Sequence, residues 1–180
     1  MKSNAAIFLD RDGIINESIV ISGKPYAPKN LDEFKIIPGV AAVLCQLKED
    51  GFILVVISNQ PDVARGTIVR ETVELMHELI RQQMPIDSFE TCFHDDIDCC
   101  TCRKPKPGAI LNAVDKLNID LSKSFLIGDR WKDMEAGRAA GCKTIFFDYG
   151  YDEPSPTCMD YTITNLAEAI QIIHQESKGL

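Results

Sequence analysis

The chain has 180 residues, 45% of them hydrophobic and 26% charged, an ordinary globular balance long enough for one domain with its own core. Its formal net charge of -8 argues against a general binder of nucleic acid or anionic membrane, which needs a basic face, but leaves room for a small anionic substrate met by a local gathering of basic residues. There is no run of 18 apolar residues and no charged-then-apolar leader, so the expected protein is soluble and cytoplasmic; with no interface-like patch, a monomer is expected.

Residues 4–10 read as a buried strand, because the apolar run Ala5-Ala6-Ile7-Phe8-Leu9 ends in Asp10-Arg11-Asp12-Gly13. Residues 14–37 are the largest irregular stretch, with Pro25 and Pro28; they read as a loop lining the mouth of a site, with Tyr26 and Trp131 as candidates for its border. Pro38-Gly39 opens a helix whose Val40, Val43, Leu44 and Leu47 share one face, with Cys45 at the core or its margin. Gly51 ends that helix, and residues 52–57 form a second strand leading into Ser58-Asn59-Gln60. A helix over 71–84 stops before Pro85, and residues 89–94 form a short third strand. Pro107-Gly108 opens a helix with Ile110, Val114 and Leu117 inward. Residues 124–128 form a fourth strand, residues 134–140 a helix ended by Gly141, and residues 143–147 a fifth strand; Leu166, Ala169, Ile170 and Ile173 mark a closing helix. This alternation specifies an α/β fold: a three-layer, Rossmann-like, mostly parallel sheet with helices on both faces, in a single domain over 1–180.

In such a sheet the polar strand ends meet at one edge, where ligands bind. Asp10 and Asp12 end the first strand, Ser58-Asn59-Gln60 the second, and Gly128-Asp129 the fourth, with Asp133 four residues on; Arg103-Lys104-Pro105 closes the loop after the third. Each piece alone has a plain structural reading, as a turn or a helix cap; four of them at four strand ends favour a site. The set suits phosphoryl transfer through an aspartyl-phosphate. Asp10 attacks phosphorus, Ser58 and Lys104 hydrogen-bond the equatorial oxygens, and Asp12 protonates the leaving oxygen and then activates water. Crowded carboxylates are costly without a cation, which argues for Mg²⁺.

Four of the seven cysteines fall within residues 92–102. Cys92, His94, Cys100 and Cys102 offer a tetrahedral structural Zn²⁺ site in a loop at about 91–103, whose role would be to rigidify the segment delivering Arg103 and Lys104. Cys99 with Cys102 is the alternative C-x-x-C pair; Cys100 is preferred because its spacing to Cys102 mirrors Cys92 and His94. Cys142 and Cys158 read as ordinary thiols.

Asp-x-Asp-Gly, Ser58, Lys104 and Gly-Asp-x-x-x-Asp together resemble the haloacid dehalogenase superfamily of phosphatases, from Ile7 to about Phe147. The resemblance implies Asp10 as nucleophile, Asp12 as acid/base, and Mg²⁺ on the Asp10 side chain, the Asp12 backbone carbonyl and Asp129. It further implies that Asp133 orients Lys104 or a metal-bound water, and that any cap domain is minimal or absent. Ile14 stands where the superfamily often has Thr. The C-x-H…C-x-C-R-K-P arrangement resembles the zinc-containing branch that includes heptose-1,7-bisphosphate 7-phosphatases and histidinol-phosphatases. Arg103-Lys104-Pro105-Lys106-Pro107-Gly108 and the run from Asn59 to Gly66 resemble the heptose side, with Pro61-Asp62 in place of Ser-Gly; the five-residue spacer before Cys100 resembles the histidinol side. The implied reaction is release of the 7-phosphate of a heptose bisphosphate in cell-surface heptose synthesis. Asn59, Gln60, Arg65 and Arg103 would meet the sugar or its remote phosphate, since a guanidinium binds phosphate bidentately. Histidinol phosphate or another small phosphomonoester is the alternative substrate. A zinc-stabilised binding protein without catalysis is a third reading, opposed by the joint presence of Asp10, Asp12, Lys104 and Asp129.

Overall fold

The computed structural model describes residues 4–177. In chain order the elements are β1 (Ala6–Leu9), β2 (Ile19–Ile21), β3 (Lys24–Tyr26), α1 (Val40–Glu49), β4 (Ile53–Asn59), α2 (Pro61–Ala64), α3 (Arg70–Arg81), β5 (Ser88–Cys92), α4 (Gly108–Leu117), β6 (Phe125–Gly128), α5 (Trp131–Ala140), β7 (Lys143–Phe147), β8 (Tyr161–Ile163) and α6 (Leu166–Ser177). Six strands form one parallel sheet in the order β5-β4-β1-β6-β7-β8, and the expected doubly covered α/β architecture is borne out.

Side chains alternate across a strand, so each central strand feeds two cores. Ile7 and Leu9 of β1, with Leu54, Val56, Phe125 and Ile127, pack under α1, α3 and α6. Ala6 and Phe8, with Val55, Ile57 and Leu126, pack under α4 and α5. This is why the strands read as unbroken apolar runs: both faces are buried. From β1 the chain winds outward through β4 and β5, then returns to the other side of β1 with β6 and continues outward to β8. The reversal puts a crevice at the carboxyl ends of β1 and β6, where Asp10 and Asp129 stand.

Four features depart from the sequence reading. The 14–37 stretch contains a hairpin: β2 and β3 pair antiparallel around Ser22-Gly23, both at positive φ (50° and 78°), the geometry of a type I′ turn. A strand β8, at the far edge, was missed. Helix α3 ends at Arg81 rather than 84, and α5 starts at Trp131 rather than 134. The hairpin tip is anchored: Asp152 N donates to Gly23 O at 2.8 Å, and a Cβ on Gly23 would lie 2.9 Å from the Asp152 Cβ. Cys45 is exposed rather than at the core.

Candidate active site and metal centre

The centre is built from four charged side chains at the β1/β6 crevice. Lys104 Nζ donates to Asp10 Oδ1 at 2.6 Å and to Ile57 O at 2.8 Å, and lies 2.6 Å from Asp133 Oδ1. Asp133 Oδ2 accepts from Arg130 N at 3.0 Å, so the first turn of α5 fixes this carboxylate. Asp129 is the odd member: it is buried, and neither carboxylate oxygen meets a donor in hydrogen-bonding geometry. Two glycines make the crowding possible. A Cβ on Gly13, which sits at φ +97°, would stand 1.9 Å from Asp129 Oδ2; one on Gly128 would stand 2.4 Å from the Asp133 Cβ.

Electrostatics follow from burial and like charge. Burial, then the Asp133 carboxylate, push Asp10 up to about 6 against the pull of Lys104. Burial, then Asp10 and Asp133, push Asp129 well above the usual carboxylate range. Burial would drive the Lys104 ammonium towards neutrality, but Asp10 and Asp133 outweigh it and hold its pKa above that of an ordinary lysine. Oxygens of Asp10, Asp129 and Asp133 lie within 4.8 Å of one another. Three buried carboxylates facing one ammonium form an all-oxygen set suited to a hard divalent cation.

Asp12 stands apart from that cluster. Arg11 donates to it from Nε at 3.2 Å and from Nη2 at 2.9 and 3.1 Å, Asn16 Nδ2 at 2.9 Å and Gln60 Nε2 at 2.8 Å. The same Gln60 nitrogen donates to Ser58 Oγ at 2.8 Å. Gln60, expected to meet substrate, is buried and occupied in this way, and is not among the groups lining the cleft. Asn59 does line the cleft, yet its amide is committed to the zinc-type loop: Nδ2 donates to Lys104 O at 3.0 Å and Oδ1 accepts from Lys104 N at 3.1 Å. Ser58 is buried at the end of β4.

The cleft above the centre has a volume of about 420 Å³. Outside the centre and Asp12, Lys24, Lys29, Arg65, Arg103, Arg130 and Lys132 line it against only Asp62, Asp96 and Glu153, so its rim is basic on an acidic molecule. The arginines are held by carboxylates: Arg65 by Asp95 at 2.6 Å, Arg103 by Asp96 at 2.7 Å and Arg130 by Glu153. Tyr26 is at this cleft; Trp131 is not, lining instead a neighbouring hollow with Tyr149 and Tyr151. Lys24 and Lys29 come from the hairpin region, a contribution that only its lysines and Ser22-Gly23 turn signalled in the sequence.

The structure brings Cys92, His94, Cys100 and Cys102 together. Cys102 Sγ is 3.3 Å from Cys92 Sγ, 3.3 Å from His94 Nδ1 and 3.6 Å from Cys100 Sγ; Cys92 Sγ is 3.6 Å from His94 Nδ1 and 3.7 Å from Cys100 Sγ. A tetrahedron centred about 2.3 Å from each sulfur has edges of roughly 3.7 Å, so these spacings of 3.3 to 3.7 Å are compatible with a Cys₃His zinc shell. Cys99 turns away at φ 48°, its Sγ 3.9 Å from Asp96 O.

With this geometry in view, the haloacid dehalogenase-like hydrolases match residues 6–141, and the chain belongs to that family. The resemblance carried by the motifs is thereby borne out. The chain is 34% identical over 192 residues to the D-glycero-β-D-manno-heptose-1,7-bisphosphate 7-phosphatase of Escherichia coli (strain K12), spanning 98% of this chain and 97% of that one. It is 34% identical over 189 residues to the protein of the same name from Pasteurella multocida (strain Pm70), spanning 97% of each. The crystal structure of D,D-heptose 1,7-bisphosphate phosphatase from B. bronchiseptica complexed with magnesium and phosphate superposes with a TM-score of 0.79 at 26% identity, covering 96% of this chain and 99% of that one.

Proposed function

We propose that this protein is a Mg²⁺-dependent phosphatase that releases the 7-phosphate of D-glycero-D-manno-heptose 1,7-bisphosphate through an aspartyl-phosphate on Asp10. The observation that carries the reading is the meeting of Asp10, Lys104, Asp129 and Asp133 at the crevice where the sheet reverses.

The chemistry assigns each group a step. Lys104 grips Asp10 Oδ1 and fixes the carboxylate for in-line attack on phosphorus. The bond from phosphorus to the leaving oxygen breaks as that oxygen takes a proton from Asp12; Asp12 then takes a proton from water, which attacks the acyl phosphate and regenerates Asp10. Lys104 and Ser58 donate to the oxygens of the transferring group, and Asp133 holds Lys104 in place. Mg²⁺ would be held by the Asp10 side chain, the Asp12 backbone carbonyl and Asp129, and would supply the positive charge that lets an anionic nucleophile approach an anionic phosphate.

The substrate assignment rests on the names of the relatives and on the basic rim. Arg103 and Arg65 are the proposed contacts to the sugar or remote phosphate, reached by exchange with Asp96 and Asp95. Asn59 and Gln60 act from behind, on Lys104 and Asp12. Zn²⁺ on Cys92, His94, Cys100 and Cys102 is structural, leaving no open position. We assign the protein to the cytoplasm, where those thiols stay reduced, and to a monomeric state, with no nucleic-acid or membrane partner; among the described residues no helix is long and apolar enough to cross a membrane. The test is phosphate release from both anomers of heptose 1,7-bisphosphate beside histidinol phosphate, with and without Mg²⁺. The reading predicts a Mg²⁺-dependent preference in kcat/KM for one heptose anomer; faster turnover of histidinol phosphate would replace the substrate while keeping the chemistry.

A further inference from the structure

Arg11 lies between the two carboxylates of the first motif and is completely buried. A buried guanidinium is stable only if its charge is paired and its donors are used. Nε and Nη2 go to Asp12. The remaining side, Nη1, faces His77 Nε2 at 3.5 Å. His77 comes from α3, far away in sequence, and is itself buried, its ring stacked on Phe89 of β5 at 4.4 Å between centroids and 28° between planes. Arg81 lies over the same Phe89 ring at 4.5 Å. A layered wall, from Arg81 through Phe89 and His77, therefore abuts Arg11 on the side away from Asp12.

We infer that His77 is a positioning residue for proton transfer: as a neutral imidazole accepting from Arg11 Nη1, it fixes the guanidinium whose other donors orient the Asp12 carboxylate. The contact has the right polarity: Arg11 Nη1 can only donate, so the Nε2 that faces it accepts, and burial, then the Arg11 and Arg81 charges, hold His77 down at about 3 and keep the ring neutral. Asp12 has two further donors, Gln60 and Asn16. Loss of the acceptor at 77 therefore tilts the carboxylate rather than releasing it, and leaves Arg11 Nη1 without a partner. The inference rests on Asp12 being the acid of the proposed phosphatase.

A leaving-group series tests it. kcat/KM reports steps through transfer to Asp10, and an ester that leaves as an alkoxide needs an acid far more than one that leaves as nitrophenolate. Phosphate monoesters ranging from alkyl to nitrophenyl are compared in wild type, His77→Phe, His77→Gln and Asp12→Asn. His77→Phe keeps a ring beside Phe89 but accepts nothing; it should lower kcat/KM for alkyl esters about 10-fold or more relative to the nitrophenyl ester. His77→Gln, with an acceptor restored, should recover most of that selectivity. An equal loss on every ester, tracking the folded fraction, would reduce His77 to a packing residue and overturn the inference. Asp12→Asn separates the two failures: a steep series there with a flat one in His77→Phe overturns only the positioning role, whereas a flat series in Asp12→Asn removes the acid assignment beneath it.

Discussion

Asp10 and Gly13 show how tightly single residues are specified at this site. With Asp10 raised to about 6 from 3.8, the folded metal-free protein holds a proton that the unfolded chain has lost between those values. Asp10's contribution to stability is therefore fully present below about 3.8 and is lost as pH rises through 6. Asp10→Asn should raise the melting temperature of metal-free protein at pH 7–8, by a free energy on the order of 2–3 kcal/mol. Mg²⁺ should stabilise wild type and not the variant, as followed in thermal melts. Gly13→Ala adds a carbon where Asp129 Oδ2 already stands and forces an alanine to φ +97°; Mg²⁺ affinity should fall at least about 10-fold by calorimetric titration. The candidate residues that the structure gathers were legible because strand ends announce themselves: an apolar run followed by carboxylates or hydroxyls. What could not be read was which polar neighbour faces substrate and which faces protein. Gln60 follows Asn59 directly, yet one is turned under Asp12 and the other clamps the Lys104 loop, a distinction set by backbone direction after β4.

At the scale of elements, the loop from β5 to α4 is the piece that the proposed zinc would hold in shape. It delivers Lys104 to the centre, and its hydrogen bonds to the scaffold include those of Asn59 to the Lys104 backbone. Cys99→Ser should leave bound zinc unchanged, whereas Cys100→Ser should lose it and lower kcat as Lys104 loosens; metal analysis beside activity measures both. The Cys100 preference followed from spacing alone, and the fold adds the reason, an αL turn at Cys99 that faces its sulfur away. Elements with sustained apolar periodicity were legible. The hairpin and β8 were not, because three-residue strands carry too little alternation, and Pro25 speaks against a strand unless it lies in a two-stranded ribbon.

Across the whole molecule, the sheet order turns sequence-distant segments into one site, and the charge distribution opposes the net charge. A basic rim on a chain of net charge -8 should concentrate anionic substrate locally. Arg103→Ala should raise KM for the bisphosphate about 10-fold with kcat little changed, and raising salt should raise the wild-type KM more than the variant's. Global stability carries a second signature from His77. Its folded-state pKa of about 3 lies below the ordinary 6.5, so the unfolded chain takes up a proton first. His77's contribution to stability is complete above about 6.5 and is lost towards pH 3, by up to roughly 1.4 kcal/mol per pH unit; His77→Gln should flatten this acid limb in denaturant titrations.

The central claim is that phosphate passes through a covalent bond to Asp10. Acid-quenching the enzyme during turnover of heptose 1,7-bisphosphate with Mg²⁺, then reducing the acyl phosphate with borohydride, converts the phosphorylated aspartate to homoserine for peptide mass spectrometry. The account predicts homoserine at position 10 and none at 12. Homoserine at another carboxylate, or turnover without any reduced residue and undiminished in Asp10→Asn, would contradict it.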